Sequence, residues 1–457
     1  MDKKSIARRS FKDFDMDKFE SDLKDSELCT TPAPDIDDLV TQYNKTLSLL
    51  LDKHVPVVST TQSQERKTPW YTQDIHIARQ ERRKLTRKWR KSRSQKDKEC
   101  MITQRNKVGN MIDEAKRDFY QIAITKAGKN SQILFRTFRQ LLNDNKINPM
   151  PHGRTSLQNA NDFNQFFIEK IERLKARFHN KCDYSYLDGE GIEHSMTEYK
   201  PITLEKVERL ILSAPSKTCA LDPVPTRVVK SAVSTLGPII QRIINLSLAK
   251  SKVPSGFKTA IVKPLIKKPS LDPCHKNHRP VSNLAFISKL IEQAIIDQLE
   301  SHFEINGLND DLQSAYRANH STETALLHIV NDIILALDNR RAVGMVMLDL
   351  SAAFDTLDHD ILIQRLSNTQ GLGPQVTRWF DSYLRGRTQR VSVDDATSDP
   401  IQLREGAVQG SKMGCRLYKK YVEPLGHMLK RSECDYHGYA DDNSPISIEN
   451  SLKFCIE

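Results

Sequence analysis

The stretch Tyr436–Ile448, YHGYADDNSPISI, reads as two short strands around a polar tip, and the tip is a pair of adjacent aspartates, Asp441 and Asp442. β-Prone residues on either side of a turn predict a hairpin. Acids at a hairpin tip are ordinarily solvated turn residues, so the pair alone marks no site. Pro445 has no ladder donor, which predicts that the second strand is short or lies at a sheet edge.

A second stretch gives the pair meaning. Val343–His359, VGMVMLDLSAAFDTLDH, reads as an apolar strand running straight into Asp349. A carboxylate at the end of a buried strand is costly unless its charge is compensated. The plainer alternative is an N-cap for a helix over SAAFDTLDH. If the two strands were neighbours in one sheet, Asp349 would stand beside Asp441 and Asp442. Three carboxylates that close repel and raise one another's pKa values. Divalent cations resolve the conflict, and hard oxygen ligands favour Mg²⁺, with Mn²⁺ as a substitute. Two such ions about 4 Å apart activate a 3′-hydroxyl and stabilise a leaving pyrophosphate.

Between these stretches lies REGAVQGSKMGCRLYKK, whose small, flexible GAVQGS lets backbone approach a ligand closely. Gln409 offers a donor and an acceptor to a sugar or base. A helix carrying Lys412, Arg416, Lys419 and Lys420 follows. The plain reading is a glycine-punctuated loop before a surface helix.

Charge points to a polyanion. Arg79–Lys98 holds eleven Lys or Arg against Glu81 and Asp97, so this one window carries nine of the chain's eleven net positive charges. Such a block is the footprint of a nucleic-acid partner, against the plainer reading of a solvated helix face. Arg82, Arg83, Lys84, Arg87, Lys88, Arg90 and Lys91 are its candidate phosphate contacts, and Trp89 offers a ring for a base. The block is also a candidate nuclear address.

At 457 residues the chain is long enough for two or three domains. Its eight cysteines never form a C-x-x-C pair, so they read as reduced thiols rather than a zinc knuckle. No stretch reads as a signal peptide or a membrane span, so an intracellular protein of nucleus or cytoplasm, not secreted and without a membrane partner, is expected.

The first 200 residues read as helices and linkers. Helices are expected over DIDDLVTQYNKTLSLLLDKH, over one long basic segment after an N-cap at Thr72, and over NSQILFRTFRQLLN and NDFNQFFIEKIERLKARF. CDYSYLDGEG is the candidate boundary. Beyond it strands (TAIVKPLI, VGMVMLDL, QRVSV) mix with helices (AFISKLIEQAIIDQLESHF, TETALLHIVNDIILALD), without regular βαβ alternation. That mixture predicts an α+β fold with a mainly antiparallel sheet.

In this order, KTCALDPVPTRVVK, FKTAIVKPLIKKPSLDPCHKNHRPVSNLAFISKLIEQ, LNDDLQSAYRANHSTETALLHI, LDLSAAFDTLDH, GAVQGSKMG and YADD resemble the reverse transcriptases of LINE-like, non-LTR retrotransposons. The resemblance implies fingers and palm over 201–457, preceded by a helical, basic, linker-like region over 1–200. It implies that Asp349, Asp441 and Asp442 are the metal-binding catalytic aspartates and that Phe354 is the steric gate against a 2′-hydroxyl. Gln409 and Gly410 would contact nucleotide and template, and Lys267, Lys268 and Arg279 would hold the triphosphate. Asp355 and Asp358 read as structural or capping residues.

RNA template, DNA primer and dNTP are the implied partners, with two Mg²⁺ ions as cofactor. The resemblance also implies a truncated element lacking the endonuclease and thumb. A catalytically inactive, nucleic-acid-binding remnant is the alternative. A two-metal nuclease would match the three aspartates but not Phe354 and Gln409.

Overall fold

The computed structural model describes residues 5–61, 69–128, 130–141, 149–176, 195–317, 319–350, 352–431 and 435–449. In chain order the elements begin with β1 (Ser5–Arg9), α1 (Met16–Lys24), α2 (Glu27–Thr30), α3 (Ile36–His54), β2 (Val57–Thr61), α4 (Gln73–Ser92), α5 (Gln95–Ala127), α6 (Ser131–Leu141) and α7 (Ser156–Lys175). There follow α8 (Leu204–Ser213), α9 (Thr226–Ser231), α10 (Val233–Ala249), β3 (Thr259–Ile266), β4 (His278–Asn283), α11 (Phe286–Ile305), α12 (Thr322–Asp338), β5 (Ala342–Met345) and β6 (Leu348–Asp349). The last are α13 (His359–Asn368), α14 (Pro374–Leu384), β7 (Arg387–Val393), β8 (Ala396–Thr397), β9 (Ile401–Leu403), α15 (Lys412–Arg431), β10 (Asp435–Tyr439) and β11 (Asp442–Glu449). Helices and sheets mix as expected for α+β. Among the described residues no helix is long and apolar enough to cross a membrane.

The chain forms two compact units, Met1–Arg8 with Val58–Asn148 and Arg9–Val57 with Pro149–Glu457. The smaller is built on α4 and α5. Thr72 caps α4, its side chain accepting from the Ile75 amide. The single long helix expected here is instead two. Arg93, at φ 52, ends α4 with its amide on the Trp89 carbonyl, and Ser94 is extended before α5 begins. An isolated amphipathic helix gains little until its apolar stripe is covered. Folding α5 back buries Ile75, Ala78 and Val108, and Gln104 donates to the Ala78 carbonyl at 3.1 Å.

The larger unit does not begin near residue 200. Helix α3 places Leu39, Val40, Tyr43, Leu47 and Leu51 in one continuous core with α10 and α11. Helix α7 sets Phe163 and Phe167 against Val262, Val391 and Val393 of the sheet. The resemblance implied a linker-like region, but the apolar stripes of these helices need cover, and the larger unit supplies it. CDYSYLDGEG lies outside the described residues.

Two sheets shape this unit. One runs β4-β3-β7-β8 with β9 also on β7, and its β3–β7 pair is parallel among otherwise antiparallel neighbours. The other runs β10-β11-β5 with β6 also on β11, all antiparallel. VGMVMLDL, expected as one strand, is β5 and β6 with Val346-Met347 between them. The cause is opposite: Ile446 pairs with Met345 and Asn443 with Leu348, so Pro445 faces the gap. Its carbonyl accepts from the Val346 amide at 3.1 Å, but it has no N–H to return. The expected short or edge strand is therefore corrected. β11 is eight residues long and lies between β10 and β5, because the missing donor faces the interruption.

Candidate active site

The β10–β11 hairpin closes on the pair Tyr439↔Asp442, with Ala440 and Asp441 at the tip. Ala440 has φ 60, a left-handed conformation that costs a side-chain-bearing residue energy unless held. Buried Gln313 holds it, its Oε1 accepting from the Ala440 amide at 2.9 Å and its Nε2 donating to the Ala440 carbonyl at 3.4 Å. Gly438 makes room for that clamp, since a Cβ there would lie 2.7 Å from the Gln313 Nε2. Gln313 lies within LNDDLQSAYRANHSTETALLHI, but no role was assigned to it there.

Strand pairing answers the question raised by Asp349. It is the register partner of Asp442, opposite the hairpin tip, although 92 residues separate it from Asp441. The helix-cap alternative fails, because Asp349 ends β6 and among the described residues no helix begins until His359. Asp358 caps that helix, accepting from the amides of Asp360 at 2.9 Å and Ile361 at 3.2 Å. Asp441 is half-buried and Asp442 exposed. Neither carboxylate makes a hydrogen bond or ion pair with a described residue. The Asp349 side chain lies outside the described residues, and among those described no three His, Cys, Asp or Glu side chains form a metal cluster. Two unpartnered carboxylates with a third acid across the ladder offer oxygen donors only, a set that fits Mg²⁺.

The loop between Glu405 and Ser411 is tied to both candidate motifs by main-chain bonds. Ala407 donates to the Phe354 carbonyl at 2.8 Å, and Ser282 of β4 donates to the Gln409 carbonyl at 3.0 Å. Gly410, at φ 105, passes so close that a Cβ would lie 2.8 Å from the Ser282 carbonyl oxygen. The close approach that glycine permits here is to the protein's own strand. The loop ends on Glu292, a buried acid on α11 that sequence reading missed because it sits within an ordinary helix. Glu292 accepts from the Ser411 hydroxyl at 3.0 Å, the Lys412 amide at 3.2 Å and the Tyr383 hydroxyl at 2.9 Å. It thereby anchors the start of α15, where an acid also favours the helix dipole. Burial, and then the Glu292 charge, push the Tyr383 hydroxyl well above its ordinary pKa.

The remaining candidates are placed unevenly. The Phe354 ring is half-buried, 4.8 Å from the Tyr418 ring at 30°. Lys267 and Lys268 follow β3, and Arg279 is on β4. Burial, and then the charges of Lys170 and Arg279, lower the Lys267 pKa, so Lys170, Lys267 and Arg279 share one positive field. No hydrogen bond or ion pair among the described residues joins Lys267, Lys268 or Arg279 to the aspartates. The α15 cations do not form a free row. Lys412 donates to Gln293 at 2.6 Å, Arg416 pairs with Glu300 at 3.1 Å, and buried Lys420 pairs with Glu423 at 3.1 Å. Arg83, Lys84, Arg87, Lys88, Arg90 and Lys91 are exposed on α4 of the smaller unit, and Arg82 is half-buried. Trp89 is half-buried, with the Arg93 guanidinium 5.4 Å over its ring.

Residues 266–448 match the family model described as reverse transcriptase (RNA-dependent DNA polymerase). The chain carries a reverse transcriptase domain. It is similar to the RNA-directed DNA polymerase from mobile element jockey of Drosophila funebris, 27% identical over 249 residues, which are 53% of this chain and 27% of that protein. It is similar also to the probable RNA-directed DNA polymerase from transposon BS of Drosophila melanogaster, 28% identical over 264 residues, 56% of this chain and 29% of that one. The transposon TX1 uncharacterized 149 kDa protein of Xenopus laevis is 26% identical over 233 residues, 50% of this chain and 17% of its own length. The similarity is thus to LINE-like, non-LTR elements. The chain spans less than a third of the length of each of these relatives. The reverse transcriptase domain includes Phe354, the Gln409–Gly410 loop, Arg279, both lysines and all three aspartates.

Proposed function

We propose that this chain is an RNA-directed DNA polymerase that adds deoxynucleotides to a primer 3′-hydroxyl on an RNA template. The pairing of Asp349 with Asp442 beside Asp441 carries the reading. In it, the β3–β4 region with Lys267, Lys268 and Arg279 serves as fingers, and the β10-β11-β5 sheet with β6 serves as palm. Asp349, Asp441 and Asp442 would hold two divalent ions, and no described protein group occupies the Asp441 or Asp442 carboxylate oxygens. Bound there, Mg²⁺ would activate the 3′-hydroxyl and neutralise the departing pyrophosphate.

The protein's own contribution is positioning. Gln313 holds the hairpin tip, Glu292 holds the Gln409–Gly410 loop, whose Gln409 Oε1 is buried, and Phe354 crowds the sugar's 2′ position. Arg279 and the two lysines would orient the triphosphate, Arg as a planar fork and Lys as point charges. Base pairing with the template supplies sequence selection, and the exposed cations of α4 supply nucleic-acid affinity.

Extension of a labelled DNA primer on an RNA template with Mg²⁺ tests the reading. Wild type is expected to incorporate dNTP, and Asp441→Ala is not. Incorporation absent from both proteins, with salt-sensitive RNA binding retained, would favour the inactive nucleic-acid-binding remnant.

A further inference from the structure

Behind the loop that carries Gln409, a cavity of about 430 Å³ opens between α7 and the β4-β3-β7 sheet. It is separate from the aspartates and lies on the opposite side of β4 from Arg279. His278, Pro280 and Ser282 line it while Arg279, between them in the strand, does not. Asp355 lines it while its neighbour Phe354 does not.

Arg387 reaches this cavity only 2% exposed, and among the described residues its Nε, Nη1 and Nη2 all lack a hydrogen-bond partner. Its guanidinium carbon lies 4.6 Å from the centre of the Tyr383 ring, which backs the fork on one side. A buried charged group without partners is among the most costly arrangements in a protein interior. The cavity also holds unused acceptors: Gln409 Oε1 and Glu405 Oε2 are buried without a donor among the described residues. Glu405 Oε1 is already paired with Lys175. Asp355 lines the same space and makes no ion pair with Arg387. Donors and acceptors thus face one cavity without meeting.

An occupant that satisfies both must offer two adjacent acceptors to the fork and donors elsewhere on the same body. It must also be flat and partly apolar, since Phe166, Phe167, Leu403 and Val408 form the walls. Guanine meets these demands. Its O6 and N7 suit a bidentate arginine, and its N1–H and N2–H₂ suit a carboxylate or amide oxygen. Adenine offers the fork one acceptor and one donor, and pyrimidines are smaller. Lys170, Arg173 and Lys276 also line the space and supply charge for an attached phosphate. We propose that this cavity is a guanine-nucleotide site distinct from the polymerase site, with Arg387 reading the base and the α7 and Lys276 cations taking the 5′-phosphate. It shares backbone with the Gln409 loop, so occupancy would steady the segment that contacts the incoming nucleotide.

The test is calorimetric titration of the full chain with GMP in EDTA, which keeps metal-dependent dNTP binding out of the readout. GMP is expected to bind at least about tenfold more tightly than AMP or inorganic phosphate, and Arg387→Met to remove that preference. The comparison between ligands on wild type stands even if Arg387→Met misfolds, and circular dichroism monitors its fold. Equal affinities for GMP and AMP, or no GMP binding up to about 10 mM, would overturn the proposal and leave the cavity to water. A single-stranded RNA with one guanine, against the same RNA with adenine, separates the two sources. Guanine-dependent retention displaced by GMP identifies an unpaired base of the strand, and GMP binding that RNA does not displace identifies the free nucleotide. Asp441→Ala should leave GMP binding unchanged, so failure here and failure of the polymerase reading are told apart.

Discussion

Gly410→Ala is the sharpest single perturbation of the candidate active site. At φ 105 the residue lies outside the left-handed well that other residues tolerate, which costs an alanine about 1–3 kcal/mol. The added carbon would sit 2.8 Å from the Ser282 carbonyl oxygen. That oxygen is main chain, held in the β3–β4 ladder by the pairing of Ser282 with Val262, so it cannot swing aside. Overpacking of this kind costs about 1–3 kcal/mol. One loop movement relieves both, so a loss of roughly 2–4 kcal/mol is expected rather than the full sum. The same movement breaks the Ser282–Gln409 hydrogen bond and lowers nucleotide incorporation.

Urea unfolding followed through Trp379, fully buried in the larger unit, reads the stability, with Trp70 and Trp89 replaced by Phe in the background. Gly344→Ala is the control, because a Cβ there meets nothing within 4 Å. It should fall within about 0.5 kcal/mol of wild type. A Gly410→Ala protein equally close to wild type would refute the reasoning.

In α5, Gly109 has open space around its missing Cβ, so Gly109→Ala should stabilise the helix by about 0.5–1 kcal/mol in a thermal melt; no gain would contradict an unstrained helix interior at that point. Phe354→Val should admit ribonucleotides in primer extension, and unchanged sugar selectivity would remove the gate assignment. Replacing Arg83, Arg87 and Arg90 by Gln should flatten the dependence of log affinity for single-stranded RNA on log salt by about 2, and an unchanged slope in filter binding would take α4 out of the interface.

Much of the candidate site was legible because strand periodicity and acid placement are local signals. Asp349 at the end of an apolar run and Asp441-Asp442 at a polar tip both stood out before any pairing was known. Partners supplied from far along the chain were not legible. Gln313 and Glu292 clamp the tip and the loop from segments that were singled out for their resemblance, yet nothing local marked either side chain as a clamp. The split of Val343–Leu350 was hidden because the proline that causes it lies on the facing strand. The turn at Arg93 was missed because continuous charge masked the apolar stripe that α5 folds back to cover. Helix α3 was legible from its apolar spacing, but not that its leucines fill the core of the larger unit, because the resemblance implied a linker-like region there.

The central claim is that two segments 92 residues apart form one divalent-metal site. Loading the protein with Fe²⁺ in place of Mg²⁺ and cleaving it with locally generated hydroxyl radicals tests this directly, with cuts mapped by mass spectrometry. The account predicts cuts around both Asp349 and Asp441-Asp442, suppressed by excess Mg²⁺ and lost from both segments together in Asp442→Ala. Cuts confined to one segment, or unchanged by that substitution, would contradict it.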